Sequence, residues 1–207
     1  MESYSTIYTG RTKTVVAITI LVGLLCGGLT FLFPLKYSAT ARLLITQRAA
    51  FTLDPYTALR SVELIGDNLA QIVSTSSFFE KVLKSGYQID ETYFKADEVR
   101  RRKQWATSVD AGMVRGTGLL ELKAYHENKD QAAQIAGAIV FILSREGSDY
   151  LGRDIGIRLV DAPIVSRFPV KPFLPVNIAA GLVLGFVVAH IWVYTDHRNK
   201  KHHGNLI

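Results

Sequence analysis

The densest charge in the chain is Arg100-Arg101-Arg102-Lys103, with Trp105 two residues beyond. Four cations beside an aromatic ring form a patch suited to holding an acidic glycan, a lipid pyrophosphate or an acidic partner. The plainer reading, which we favour, is a solvated helix face whose cations pair with acidic residues upstream. Histidine is the next residue type able to handle metals or protons. Three of the five, His197, His202 and His203, fall near the C-terminal end of the sequence beside Arg198, Lys200 and Lys201. They could bind a metal ion, but a basic tail beside anionic lipid accounts for them more simply. A proton relay through His190 competes with a plainer interfacial role at the end of an apolar run. The acidic neighbours Asp90-Glu91 and Asp97-Glu98 need not face one another and read as solvated surface. Phosphate loops of the G-x-x-x-x-G-K-[ST] or G-x-G-x-x-G kind are absent, as are H-E-x-x-H and G-x-S-x-G. The expectation is a protein that is not an enzyme, with no cofactor and no resident metal.

Whatever these residues do, long apolar segments position them. The chain has 207 residues, a net charge of +6 and an ordinary 48% hydrophobic content, but the apolar residues are not evenly spread. Thr14–Phe33 and Pro175–Tyr194 carry no charge, and each would make a helix of roughly 30 Å, matching a bilayer's hydrocarbon core. Ala39-Thr40-Ala41 resembles a signal-peptide cleavage site, yet the first run exceeds the roughly 7–15 residues of a signal h-region, so it reads as an uncleaved anchor. Trp192 and Tyr194 suit a headgroup boundary. Cys26, the sole cysteine, lies inside the first run and excludes an internal disulfide. The modest, dispersed charge argues against a dedicated nucleic-acid binder.

Two spans put both termini on one side. Arg11, Lys13, Arg198, Lys200 and Lys201 on the tails balance Lys36, Arg42, Arg48, Arg167 and Lys171 on the loop ends. A long loop can cross regardless of charge, which tilts the reading toward cytoplasmic termini. The expected organisation is a tail (1–13), a span (14–33), a domain outside the cytoplasm (34–174), a second span (175–194) and a basic tail (195–207). Gly23 with Gly27, and Gly181 with Gly185, are small-residue pairs at helical spacing, suited to close packing of the spans with each other or with neighbouring subunits. Gly28 lies beside the first pair. Pro169, Pro172 and Pro175, following Pro163, favour a stiff extended strut at the membrane.

Between the spans, Tyr37–Thr46 reads as a strand and Asp54-Pro55 as the start of a helix running to about Ser74. Ser77 and Glu80 suggest a capping box for a short helix that Gly86 ends. Residues 87–103 read as loop and helix. Ala106–Val114 and Leu119–His126 read as strands joined by Arg115-Gly116-Thr117-Gly118. Asn128 or Asp130 caps a further helix, and Ile157–Ala162 is the last strand. The order β-α-β-β-α-β, with one small extra helix, predicts a ferredoxin-like α+β sandwich.

Assembled in this order, the pieces resemble the bacterial polysaccharide co-polymerases, the chain-length determinant (Wzz-type) family. Tyr37-Ser38-Ala39-Thr40-Ala41 with Leu43, Leu44 and Ile45 resembles the strand after that family's first span. Ser76-Ser77-Phe78 with Val82 resembles the segment after its first helix. Gly116–Leu122 followed by Asp130-Gln131-Ala132-Ala133 is similar to its hairpin strand and the start of the next helix. Val160-Asp161-Ala162-Pro163, leading to Pro169, Pro172 and Pro175 and then Gly181 and Gly185, resembles its proline-rich approach to the second span. The usual Ser-Pro-Lys is Leu174-Pro175-Val176 here, and the loop is short for the long extension of larger members.

The resemblance implies a homo-oligomeric ring or cage in the bacterial cytoplasmic membrane that regulates the length or export of O-antigen, capsule or exopolysaccharide. The implied partners are a polysaccharide polymerase, lipid-linked glycan and membrane lipids. No kinase domain follows the second span, so a tyrosine kinase partner would be a separate protein. The rival reading is an adaptor or sensor subunit of a membrane transport or tyrosine-kinase signalling complex.

Overall fold

The computed structural model describes residues 12–47, 54–95, 97–151 and 155–204. The chain divides into two units: Lys36–Val170, and the terminal segments that flank it. In the first unit, β1 (Tyr37–Gln47), β2 (Val109–Val114), β3 (Leu119–His126) and β4 (Ile155–Val165) form one antiparallel sheet in the order β2-β3-β1-β4. Since β3 is antiparallel to both β1 and β2, those two run parallel with β3 between them. The domain is therefore α+β, with its helices gathered on one face of the sheet.

Alternation decides which face. Ala39, Ala41, Leu43 and Ile45 of β1 and Leu120, Leu122 and Ala124 of β3 are buried in one core. Against them pack α2 (Pro55–Val73), α3 (Ser76–Leu83), α4 (Glu98–Ser108) and α5 (Lys129–Leu151). Asp54 starts α2, its Oδ1 accepting from the amides of Tyr56 and Thr57 at 3.1 Å each, and Pro55 opens the helix where no amide partner is needed. Asn128 does the same for α5, accepting from Asp130 N at 2.7 Å. Gly116 and Gly118 adopt φ of +76° and +67° in the β2–β3 turn, a conformation costly for residues with a Cβ.

Two local expectations are corrected. The cap of α3 is Thr75, whose Oγ1 accepts from Phe78 N at 3.3 Å, so the helix begins before the Ser77–Glu80 pair. That start turns Phe78 and Phe79 into the core. Ala106–Ser108, read as strand, form the last turn of α4, and β2 begins only at Val109, opposite Ala124. Fully buried Trp105 explains the boundary, since helical geometry is what delivers its ring to the core.

β4 is an edge strand and longer than read, and it contains Pro163. The pairings Thr40↔Ile164 and Arg42↔Asp161 leave Ala162 and Pro163 together opposite Ala41, a bulge where a missing amide breaks no ladder bond. A bulge and a proline also blunt the edge against pairing with another chain.

The second unit contains α1 (Thr12–Leu29), continued by a short 3-10 turn (Thr30–Leu32), and α6 (Leu174–Gly204). Both helices are long and apolar enough to cross a membrane: Thr12–Leu32 has a mean hydropathy of 2.5 and Leu174–Thr195 one of 2.1. α6 does not stop at Tyr194 but continues to Gly204, because adding a residue to a formed helix avoids the cost of nucleation.

Candidate functional site

The small residues of α1 and α6 lie where the two helices touch. A Cβ added to Gly185 would sit 2.9 Å from both the Cα and the carbonyl oxygen of Thr19. One on Gly181 would meet Cys26 Cβ at 2.6 Å and Gly23 Cα at 3.1 Å. Gly23 faces Leu182 and Gly27 faces Ile178, at 2.6 and 3.0 Å by the same measure, whereas Gly28 has nothing within 4 Å. These pairings run antiparallel and continue through a buried cluster of Val15, Ala189 and Val193. Gly181, Gly185 and Ala189 thus form one bare stripe at four-residue intervals, letting backbones approach to where dispersion contacts are dense.

A polar link closes one end of this pair. Asn177 donates from Nδ2 to Thr30 Oγ1 at 3.1 Å, and Thr30 donates to Cys26 O at 3.0 Å. This clamp has no sequence signature beyond two polar residues at the ends of apolar runs. His190 sits against Phe186, ring centroids 4.1 Å apart, with Nδ1 2.9 Å from the Phe186 carbonyl oxygen.

The proline segment divides between local structures. Pro163 belongs to β4. After it, Ser166 N donates to Ser38 O at 2.7 Å and Val170 N to Lys36 O at 2.8 Å, so the stretch holding Pro169 runs fastened beside the start of β1. Ser38 N returns a bond to Ser166 Oγ at 3.0 Å. Pro172 follows a cis peptide bond from Lys171, and Pro175 lies in the first turn of α6. The two segments by which the chain enters and leaves the domain are therefore hydrogen-bonded together. That lateral pairing fixes their spacing, a constraint that proline stiffness alone does not supply.

The basic run lies on α4, and its members part company. Asp97 caps the helix through Arg100 N at 3.0 Å and pairs with the Arg100 side chain at 3.9 Å. Arg102 donates to Ser76 Oγ at 2.7 Å. Lys103 is exposed, and Arg101 lines a cleft beside the 3-10 turn Glu91–Tyr93. Trp105 cannot join a surface patch: it is 0% exposed, donates Nε1–H to Val73 O at 2.9 Å, and packs 4.7 Å from the Phe79 ring. The pairing of cations with a surface tryptophan is corrected accordingly.

Sequence reasoning missed the open face of the sheet. There Lys123 meets Glu121 at 2.7 Å, Glu121 meets Arg42 at 3.0 Å, and Arg42 meets Asp161 at 3.5 Å, an alternating ladder across β3, β1 and β4. The Lys123 ammonium, and Arg42 after it, hold the Glu121 carboxyl below its ordinary range. Its bond to Glu121 raises Lys123 in turn. The signal was present, since Glu121 and Lys123 are two apart on a strand and must share a face. On a solvated face such pairs select register more than they stabilise.

Burial pushes the His126 imidazole below its ordinary pKa of 6.5, against a partial counter-effect from Glu127 and Asp90. Its Nδ1 accepts from Asn128 N at 2.9 Å, and its ring centroid lies 4.0 Å from that of Tyr93. The unfolded chain takes up this proton first as pH falls. Stability from the neutral ring is thus complete above about pH 6.5 and declines below it. Denaturation midpoints recorded from pH 7.5 to 5 should fall, and His126→Asn should flatten that slope.

Among the described residues no three His, Cys, Asp or Glu side chains gather in a way that could hold a metal ion. Arg11 and Arg48, and the side chains of His197, Arg198, Lys200, Lys201, His202 and His203, lie outside the described residues. No protein-family model matches the chain, and no curated protein aligns with it significantly.

Proposed function

We propose that this chain is a two-span scaffold of the bacterial cytoplasmic membrane that regulates the length or export of a surface polysaccharide. Both termini are cytoplasmic and the α+β domain lies outside. The observation that carries the membrane part is the exposed apolar surface of the paired helices. Only 22% of each hydrophobic stretch is buried, while Leu21, Leu24, Leu25, Val183, Leu184 and Phe186 all point outward. A core helix of a soluble protein hides such a surface, whereas lipid accepts it.

The polysaccharide part rests on the resemblance to chain-length determinants, and with it the homo-oligomeric ring and contact with a polymerase, lipid-linked glycan and a separate kinase. The split β1-α2-β2 arrangement, with β3 between the parallel strands, supports reading the sandwich as ferredoxin-like. The additional α3, 3-10 turn and α4 are insertions in that plan. In this role the protein acts by holding partners and glycan at fixed spacing. The hydrogen-bonded chain ends at Lys36 and Val170 and the close-packed helices suit that task.

Deleting the gene should shift the size distribution of surface glycan, read on a gel. An unchanged distribution in a strain that normally expresses the protein would contradict the regulatory role. Native mass measurement after detergent extraction should give a high-order oligomer; a monomer or simple dimer would contradict the ring.

A further inference from the structure

We infer that the cleft between α3, the Glu91–Lys95 segment and α4 binds an acidic sugar unit, its carboxylate held by Lys95 and Arg101 and its ring lying along Tyr93. This rests on the glycan reading for its ligand class and goes beyond it in naming a place and a recognition chemistry. The cleft is an open one with a volume of about 550 Å³, within the size range of small-molecule sites. Its base is aromatic: Phe79 and Phe94 lie beneath, ring centroids 4.7 Å apart, and Phe94 meets half-buried Tyr93 edge-on at 5.3 Å. A pyranose has an apolar face of C–H groups that packs on such a surface, and a rim of hydroxyls that need polar partners.

Charge decides which sugar. Arg100 and Arg102 are engaged with Asp97 and Ser76, but Lys95 and Arg101 have no ion-pair partner among the described residues. Two uncommitted cations in the cleft lining, one on the Glu91–Lys95 segment and one on α4, favour an anion, and Arg101 can offer a carboxylate a two-pronged fork of donors. Exposed Glu91, also on the lining, is placed to accept from a ring hydroxyl. A flat anionic lipid surface would not need the concavity or its aromatic base.

The wall is also held in place before any ligand arrives. Gln104 of α4 donates from Nε2 to Tyr93 O at 2.9 Å and accepts from Lys95 N at 3.0 Å, clamping the segment across both residues. Binding therefore need not order this loop first.

The test is calorimetric titration of the full chain in detergent micelles with oligogalacturonate, with neutral dextran oligomers and anionic lipid micelles as parallel probes. Oligogalacturonate should bind and neutral dextran should not. Arg101→Gln and Lys95→Gln should each weaken binding about tenfold, the loss expected of one charge-assisted contact. Lys103→Gln, which removes an exposed cation of the same helix, should leave it unchanged. Equal losses for Arg101→Gln and Lys103→Gln would reduce the site to general surface charge and overturn the inference, as would no binding at all. Binding to lipid micelles that is equally sensitive to Arg101→Gln would overturn it in favour of a headgroup. A gene deletion that shifts glycan length while titration shows no binding would sink this inference alone; the reverse pairing would sink the regulatory reading and leave the site.

Discussion

Replacing Gly185 with leucine should drive the two apolar helices apart, while the same replacement at Gly28 should leave them paired. The contrast follows from what each new side chain would meet. At Gly185 the obstacle is the Thr19 backbone, 2.9 Å from the new Cβ on two atoms, with Val22 Cβ equally close. Backbone cannot rotate away as a side chain can, so the whole helix must move. Overpacking of this kind costs about 1–3 kcal/mol, to which the lost contacts along the stripe add. Gly28, one residue from an interfacial glycine, meets nothing within 4 Å. Spin labels at exposed Leu24 and Val183 should give a narrow distance distribution in the natural chain and in Gly28→Leu, and a broad or lengthened one in Gly185→Leu. Equal tolerance at both positions would contradict the pairing through this stripe.

Trp105→Ala should be the most damaging single change within the domain, costing about 3–5 kcal/mol, a large share of the 5–15 kcal/mol typical of a folded protein. The ring is fully buried between Phe79 and Phe94, and its removal empties the junction of α3, α4 and the Glu91–Tyr93 turn. Trp105→Phe keeps much of that packing but leaves the Val73 carbonyl without the indole N–H, a loss of about 1 kcal/mol. Hydrogen exchange at the β1 and β3 amides should show both losses in that order. A Trp105→Ala chain with unchanged exchange protection but altered glycan binding would restore the surface role that burial excludes.

How Trp105 could be misread shows where sequence patterns lose their hold. In EVRRRKQWATS only Val99 and Trp105 are large and apolar, and Val99 is exposed, so helical periodicity has almost nothing to repeat, and only Trp105 and Ser108 are buried. The neighbouring arginines then invite a surface reading that the tertiary core overrides. By contrast, Asp54-Pro55 was legible because capping chemistry is local, and the Arg115–Gly118 turn because its glycines answer a backbone requirement. The apolar runs were plain from length alone. The paired glycines could be seen, but spacing does not say what a bare stripe faces. The Asn177–Thr30 clamp and the Arg42–Glu121–Lys123 ladder depend on residues far apart in the chain. Of the basic run, only Arg101 lines the cleft together with Lys95, which sequence reading had not grouped with it.

The central claim is that both apolar helices cross lipid with the α+β domain on the outer side. It is tested most directly by single cysteines at Lys103, Ser5 and Lys201 in a Cys26→Ala background, probed with a membrane-impermeant maleimide on spheroplasts. Labelling of Lys103→Cys in intact spheroplasts, and of Ser5→Cys and Lys201→Cys only after lysis, is the predicted result. Protection of Lys103→Cys until lysis, or a mature polypeptide lacking residues 1–41, would contradict it.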